Sequence, residues 1–118
     1  MTTRRQDAKL VNSDDLVSEA EFQEAVCAYA DAQGWRWTHF RPAKTDKGWR
    51  TPLSGSPGFP DVVFTRDGRL VFAELKSQKA RKPAVDQQAW LDDLARVPGV
   101  TVCLWRPAMW PDIEKVLY

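Results

Sequence analysis

The sequence contains few of the residues and patterns on which many enzyme sites are built. It has one histidine and two cysteines in 118 residues, and Cys27 and Cys103 lack the close spacing of a zinc site, so we expect both in the core. It shows no glycine-rich phosphate loop, repeat or nucleophile triad. No apolar run reaches membrane-spanning length and no signal peptide is visible, so we expect one cytoplasmic domain without a membrane partner.

The charge of the chain is nearly balanced overall but unevenly distributed. The net charge is +1, which by itself indicates no nucleic-acid partner. Residues 36–82, however, hold eleven basic and four acidic side chains, so this segment carries +7 and the remainder −6. A basic stretch around a few carboxylates suits a phosphate backbone lying over a metal ion. The alternative is an ordinary solvated surface.

A tight hairpin is predicted around Asp67-Gly68, which lies between two apolar runs and is a strong signal for a two-residue turn. If Arg66 pairs with Arg69, then Asp61 lies opposite Glu74 across the ladder. Lys76 follows two residues later, on the same face of its strand. The sequence therefore predicts two carboxylates and one ammonium converging on one pocket.

These residue types are the ones that a hydrolytic magnesium site uses. Mg²⁺, or Mn²⁺ in its place, prefers oxygen ligands, which Asp61, Glu74 and the backbone carbonyl of Leu75 can supply. With Lys76 beside them, the chemistry predicted is phosphodiester hydrolysis. The alternative is an edge ion pair between Glu74 and Lys76, with Asp61 capping a loop. It explains less, because charges on a strand that is apolar on both faces need a partner or a metal.

Two helices supply further polar residues. Ser18 and Glu21 form a capping box for the first helix, which Gly34 ends, with an apolar face of Phe22, Ala25, Val26 and Tyr29. Glu19 and Gln23 lie one turn apart at the edge of that face, so Glu19 can reach the sheet; alternatively, it complements the helix dipole. A second helix over residues 83–97, with Pro83 as its first residue, aims Gln87 along the buried face. Gln87 then orients Lys76 or a site water, or else bonds to backbone.

The remaining segments complete the order of elements. Residues 1–15 are predicted to form a flexible arm, and residues 16–118 the single domain. Strands are expected over 35–40 and 100–105, and a final amphipathic helix over 111–117. His39 ends the first of these strands, and we expect a structural role for it. A loop insertion at about 41–58 has no periodicity, and loops of this length are usually functional. The candidate DNA-binding residues are Arg41, Lys44, Lys47, Trp49, Arg50, Lys79, Arg81 and Lys82.

The ordered motifs resemble one nuclease family. G-F-P-D at 58–61, E-L-K at 74–76, A-V-D-Q at 84–87 and W-x-P at 105–107 are similar to the VRR-NUC domains of the PD-(D/E)xK nuclease superfamily, over residues 18–117. The sequence looks closest to the small stand-alone phage and bacterial members. The resemblance implies metal ligation by Asp61 and Glu74, a catalytic Lys76, and site roles for Gln87 and for Glu19 with Gln23, Glu19 being a further candidate ligand.

The resemblance also sets the fold and function that we expect. The fold class is α/β with a restriction-endonuclease-like core, a central mixed β-sheet flanked by helices in the order α-β-β-β-α-β-α. The function is a divalent-metal-dependent DNA endonuclease selecting Holliday junctions or other branched DNA. A homodimer is expected because a junction needs two symmetric cuts, and Trp105, Met109 and Trp110 are its candidate apolar surface. The alternatives are a non-catalytic nucleic-acid-binding module and a protein-interaction domain.

Overall fold

The computed structural model describes residues 13–40, 43–45, 48–50 and 54–118, with the backbone alone for 43–45 and 48–50. The elements are numbered here along the chain. The helices are α1 (Glu19–Ala32), α2 (Val85–Ala95) and α3 (Trp110–Leu117), with 3-10 turns at Ser13–Leu16 and Pro107–Met109. The strands are β1 (Arg36–His39), β2 (Ala43–Thr45), β3 (Gly48–Arg50), β4 (Val62–Arg66), β5 (Arg69–Leu75) and β6 (Val100–Trp105).

Four strands form the central mixed sheet in the order β1-β4-β5-β6. The β1/β4 and β4/β5 pairs are antiparallel, whereas β5 and β6 run parallel, connected through α2. Arg66 pairs with Arg69 and Val62 with Ala73, which confirms the predicted register. The turn has positive φ at both central residues, 49° at Asp67 and 79° at Gly68, as a two-residue hairpin of this kind requires.

One face of the sheet is the main core and is covered by α1 and α3. Val62, Phe64 and Val71 point to this face and are fully buried against the apolar sides of both helices. The capping box of Ser18 and Glu21 starts α1, with both reciprocal bonds at 3.0 Å. Because side chains alternate along a strand, the residues between these apolar ones face α2 on the other side of the sheet.

The second face is covered by α2 and by the segment before β4. The Phe59 ring makes edge contacts with Phe40, Phe72 and Trp90, at centroid distances of 5.0 to 5.8 Å. Gly58 approaches the first turn of α2 so closely that a Cβ there would lie 2.6 Å from the carbonyl carbon of Asp86. With φ at 95° as well, this position favours glycine on both conformational and steric grounds.

The turn end of the hairpin carries two arginines that donate to backbone carbonyl oxygens. Arg66 donates to the carbonyls of Gln33 at 2.6 Å and Tyr118 at 2.8 Å, and Arg69 donates to that of Val116 at 2.7 Å. Both guanidinium groups lie over the Trp35 ring, at 4.6 and 4.9 Å from its centroid. Backbone carbonyls at the ends of α1 and α3 thereby gain cationic donors, which the negative pole of a helix favours.

Several expectations from the sequence need correction. The insertion at 41–58 is not a plain loop, because β2 and β3 pair as a short antiparallel hairpin within it. Helix α2 begins at Val85, with Ala84 as its N-cap, two residues after the predicted Pro83. On α1, Ala25 is exposed, and Cys27 and Ala30 are buried instead.

The chain termini also differ from prediction. The predicted flexible arm covers residues 1–15; its last three residues belong to the 3-10 turn Ser13–Leu16, and residues 1–12 lie outside the described part of the chain. Trp105 is only 2% exposed, and Met109 and Trp110 pack against the core. Trp105 therefore does not belong to the spare apolar surface predicted for a dimer, and Met109 and Trp110 are half-buried. Within the described residues, no helix is long and apolar enough to cross a membrane.

Candidate active site

Two carboxylates meet at the end of the hairpin opposite the turn. Asp61 immediately precedes β4, and its Oδ2 accepts a hydrogen bond of 2.8 Å from the backbone amide of Leu75. Glu74 lies next to Leu75 near the end of β5, on the face that α2 covers. The close approach of the two acids follows from the hairpin register, which sets Asp61 opposite Glu74.

Glu74 is unusual because it is a charged residue in the interior. It is only 2% exposed, and its Oε1 has no hydrogen-bond partner among the residues that the structure describes. Burial, followed by the charge of Asp61, raises the pKa of Glu74 to about 7. Burial also raises the pKa of Asp61, against the opposing influence of the Leu75 amide and the Lys76 charge. A proton or a cation between these two acids would relieve their repulsion.

Lys76 and Gln87 connect the carboxylates to α2. The Lys76 ammonium lies 3.5 Å from Oε2 of Glu74 and donates to Oε1 of Gln87 at 3.2 Å. Gln87 in turn donates from Nε2 to Oε2 of Glu74 at 2.9 Å. The same Oε1 accepts from the backbone amide of Ala84 at 2.9 Å, at the start of α2. Gln87 therefore makes both contacts that the sequence left open: it holds Lys76 and it bonds to backbone.

Glu19 approaches this group from the first turn of α1. Partial burial raises its pKa, the Asp61 charge raises it further and the Lys76 charge lowers it, so Glu19 shares the electrostatic field of the site. Gln23, one turn further along α1, is half-buried. His39 stacks on Trp37, with centroids 5.6 Å apart, and its charge helps to lower the pKa of Asp61. No pattern in the sequence indicated that His39 lies near the carboxylates.

The oxygen atoms at this position fit a hard divalent cation. No group of three or more His, Cys, Asp or Glu side chains gathers as a metal site anywhere in the described chain. Mg²⁺, however, is commonly held by one or two carboxylates together with waters and substrate phosphate. Asp61, Glu74 and the Leu75 carbonyl match that donor set, and the unpartnered Oε1 of Glu74 is a buried acceptor without a donor. These residues are therefore chemically suited to Mg²⁺ or Mn²⁺.

The predicted DNA-binding residues fall into two groups, one on the segment that follows β5 and one within residues 41–50. Lys79, Arg81 and Lys82 are exposed on the segment between β5 and α2, next to Lys76. Lys79 lies 3.7 Å from Asp15, an exposed pairing that contributes little to stability. Lys44, Trp49 and Arg50 lie on β2 and β3, for which only the backbone is described, and Arg41 and Lys47 lie outside the described residues.

Sequence reasoning missed two residues that shape this site. Gly58 brings the segment before Asp61 against the first turn of α2, and the only signal for it was the G-F-P-D motif. Arg106 donates to the carbonyls of Ser77 and Ala80, both at 2.8 Å, and so holds the segment after Lys76. It occupies the unspecified position of W-x-P, so nothing in the motif pointed to it.

Comparison with known proteins adds no family assignment: no family model matches the sequence, and no curated protein is significantly similar to it.

Proposed function

We propose that this protein is a divalent-metal-dependent DNA endonuclease with a restriction-endonuclease-like core. The observation that carries the proposal is the buried Glu74 beside Asp61, with one carboxylate oxygen unpartnered within the described residues and a pKa raised to about 7. Acids whose pKa is strongly perturbed by burial and by a specific charged partner cluster at functional sites. The basic residues next to the site supply the reason to choose a phosphodiester as substrate.

In this proposal, each residue of the site has its own role. Asp61, Glu74 and the Leu75 carbonyl hold the metal, with Glu19 as a further candidate ligand. The bound ion would lower the pKa of a water and stabilise charge on the phosphate. As an ammonium, Lys76 would orient the attacking water or neutralise developing charge; only as a neutral amine could it accept the proton of that water. Gln87 keeps the Lys76 nitrogen 3.5 Å from Glu74 through its own contacts.

Branched DNA is the substrate that we propose within this class. The domain is small, and within its described residues no helix resembles a recognition helix with side chains that read base edges. A small surface of this kind favours selection of DNA by its shape over selection by its base sequence. Two identical sites in a homodimer would match a four-way junction, because both have two-fold symmetry. Light scattering at the working concentration, together with mapping of paired nicks, tests this part.

The experiment for the proposed activity uses labelled DNA of three shapes. The protein is incubated with fluorescent duplex, flap and four-way junction in Mg²⁺, Mn²⁺ or EDTA, and products are resolved on denaturing gels. We expect cleavage with either metal and none in EDTA, and the junction to be cut fastest. The Asp61→Asn variant is the matched control for a contaminating nuclease, since it is purified in the same way and should not cut.

The outcomes separate the candidate functions. Binding without cleavage in any metal would reject the endonuclease and favour a nucleic-acid-binding module that retains the fold. Equal cleavage of duplex and junction by a monomer would reject the structure selectivity and leave a general nuclease. Equal cleavage by wild type and Asp61→Asn would show that the cleavage does not come from the proposed site, whether its source is a contaminating nuclease or another part of the protein.

A further inference from the structure

Arg106 anchors the segment that follows the site lysine. It comes directly after β6, and its Nη1 donates to the carbonyls of Ser77 and Ala80 at 2.8 Å each, while Nη2 approaches that of Arg81 at 3.4 Å. A guanidinium group presents several donors in one rigid plane, so a single side chain can hold three carbonyls of one turn. The side chain is half-buried, and therefore partly shielded from competing water.

A second contact fixes the same segment. The backbone amide of Ala108 donates to Oε1 of Gln78 at 2.9 Å. The segment 77–83 is thus held from outside by the residues that follow β6, although it contains no helix or strand of its own. Within the segment, the Ala80 amide donates to the Ser77 carbonyl at 3.2 Å, and the contacts from outside add to this internal turn. Without them, the segment would lose more conformational entropy when it bound a ligand.

The two ends of this segment meet at one atom. Lys76 precedes it and Ala84 follows it, and both donate to Oε1 of Gln87, at 3.2 and 2.9 Å. The segment is therefore a loop whose two ends meet at the candidate site, and Arg106 donates hydrogen bonds to the carbonyls within it. We call residues 77–83 the anchored loop. It presents Lys79, Arg81 and Lys82 to solvent, all three exposed.

We propose that Arg106 is a positioning residue for nucleic-acid binding: it holds the anchored loop so that Lys79, Arg81 and Lys82 meet a phosphate backbone as one pre-ordered group. This inference rests on the proposed function for its ligand. Pre-ordering strengthens binding because the loop is not immobilised at the moment of association. The guanidinium of Arg106 is itself directed at carbonyls, so its effect on binding comes through the loop.

The test measures DNA binding by Arg106 variants without cleavage. Fluorescence anisotropy with a labelled four-way junction and a 30-base-pair duplex is recorded in EDTA across a range of salt concentrations. We expect Arg106→Gln to raise Kd about tenfold and to reduce the slope of log Kd against log salt by about 1, because roughly one phosphate contact is lost. Arg106→Lys should raise Kd severalfold although it keeps the charge, since an ammonium cannot hold three carbonyls.

The matched control is Arg69→Gln. It removes the same charge and a carbonyl hydrogen bond, but at the turn end of the hairpin, about 17 Å from Glu74 along β5. We expect its Kd to stay within twofold of wild type, because charges separated by more than the Debye length are screened. Hydrogen exchange should become faster at residues 77–84 in both Arg106 variants and stay unchanged there in Arg69→Gln.

Three results would overturn the inference. If both Arg106 variants bind DNA with the Kd and salt slope of the wild type, the inference about Arg106 is rejected and the proposed function is not affected. If Arg106→Lys binds as tightly as the wild type, the charge of residue 106 matters and its anchoring of the loop does not. Failure of the wild type to bind either DNA would reject it together with the DNA part of the proposed function. Absence of cleavage with Arg106-dependent binding would reject only the endonuclease. If Arg106→Gln does not fold, Arg106→Lys and Gln78→Ala, which removes the second anchor, carry the test.

Discussion

The two ends of the β4/β5 hairpin hold opposite electrostatic arrangements. At the turn end, Arg66 and Arg69 donate to carbonyl oxygens and lie over the Trp35 ring. At the other end, Glu74 is buried beside Asp61, with a pKa raised to about 7 and one oxygen unpartnered within the described residues. The same pair of strands thus carries one end where two cations are held by carbonyl oxygens and an aromatic ring, and one where two carboxylates meet.

This difference separates what stabilises the fold from what the site does. The cationic end joins the ends of α1 and α3 to the sheet, and its loss should weaken folding without touching the chemistry. The carboxylate end lowers the stability of the folded state at neutral pH, which is the usual cost of a preformed site.

The largest expected effect is on cleavage by Glu74→Gln. Removing this carboxylate should lower the cleavage rate about a thousandfold, equivalent to about 4 kcal/mol in the activation free energy, because the metal loses a central ligand. Asp61→Asn should be similar, and Lys76→Ala should lose about a hundredfold. Single-turnover rates on the junction measure these losses, with Arg69→Gln expected within threefold of wild type. A Glu74→Gln protein that cleaves at the wild-type rate would disprove this assignment.

The next effect is on stability, at the turn end. Arg66→Ala leaves the carbonyls of Gln33 and Tyr118 without their donor and removes one cation from Trp35. We expect the free energy of unfolding, measured in urea, to fall by about 2 to 3 kcal/mol. Arg36→Ala, an exposed arginine on β1, is the charge-matched control and should change stability by less than about 0.5 kcal/mol. Equal losses in the two variants would contradict the role assigned to Arg66.

A smaller effect concerns pH. Since the pKa of Glu74 is raised from 4.5 to about 7, the folded state binds its proton more tightly than the unfolded state. Stability from this group is fully present below about 4.5, and falls as pH rises through about 7. The size expected is roughly 1 to 3 kcal/mol, because one pKa unit corresponds to about 1.4 kcal/mol. The free energies of unfolding of wild type and Glu74→Gln, measured with urea in EDTA at pH 4.5 and at pH 8, show how the difference between the two proteins changes with pH.

The control for this pH dependence has the opposite sign. The Ser18 hydrogen bonds lower the pKa of Glu21, so its stabilisation is present above 4.5 and is lost as pH falls. The free energy of unfolding of the wild type minus that of Glu21→Gln should therefore rise with pH, whereas the same difference for Glu74→Gln should fall. A wild-type minus Glu74→Gln difference that rises with pH would show that Glu74 is stabilised as an anion in the folded protein.

The smallest effect comes from the turn that sets both ends in register. Gly68 has φ at 79°, where a β-branched residue is strained, so Gly68→Val should lower stability by about 1 to 2 kcal/mol. Gly68→Asn should cost less, because asparagine tolerates this region. Thermal unfolding distinguishes the two. If valine is tolerated as well as asparagine, the turn does not control the register in the way described.

The register, and with it the carboxylate pair, could be predicted from sequence because local rules determine both. Asp67-Gly68 selects a two-residue turn, and the strict alternation of a strand then fixes which residues face each other. The Ser18 capping box is local in the same sense, and it was confirmed. Asp61, Glu74, Lys76 and Gln87 are brought together as expected, while their catalytic roles remain predictions.

The features that could not be predicted depend on contacts between distant segments. Arg106 bonds to residues 25 to 29 positions earlier, so neither periodicity nor spacing reports it. Trp105 seemed available for a dimer, but its burial depends on how α1 and α3 pack over β6. The β2/β3 hairpin has three-residue strands, which are too short to show a period of two. In each case the deciding interaction is tertiary.

The most direct test of the account is calorimetric titration of Mn²⁺ into the protein without DNA. Wild type should bind the ion at the carboxylate end, and Glu74→Gln and Asp61→Asn should bind at least tenfold more weakly, whereas Arg69→Gln should bind like wild type. Affinity should also rise with pH up to about 7, because the metal must displace the proton that the raised pKa of Glu74 retains. Equal Mn²⁺ binding by wild type and Glu74→Gln, or none by wild type above pH 7, would contradict the central claim that Asp61 and Glu74 form a divalent-metal site.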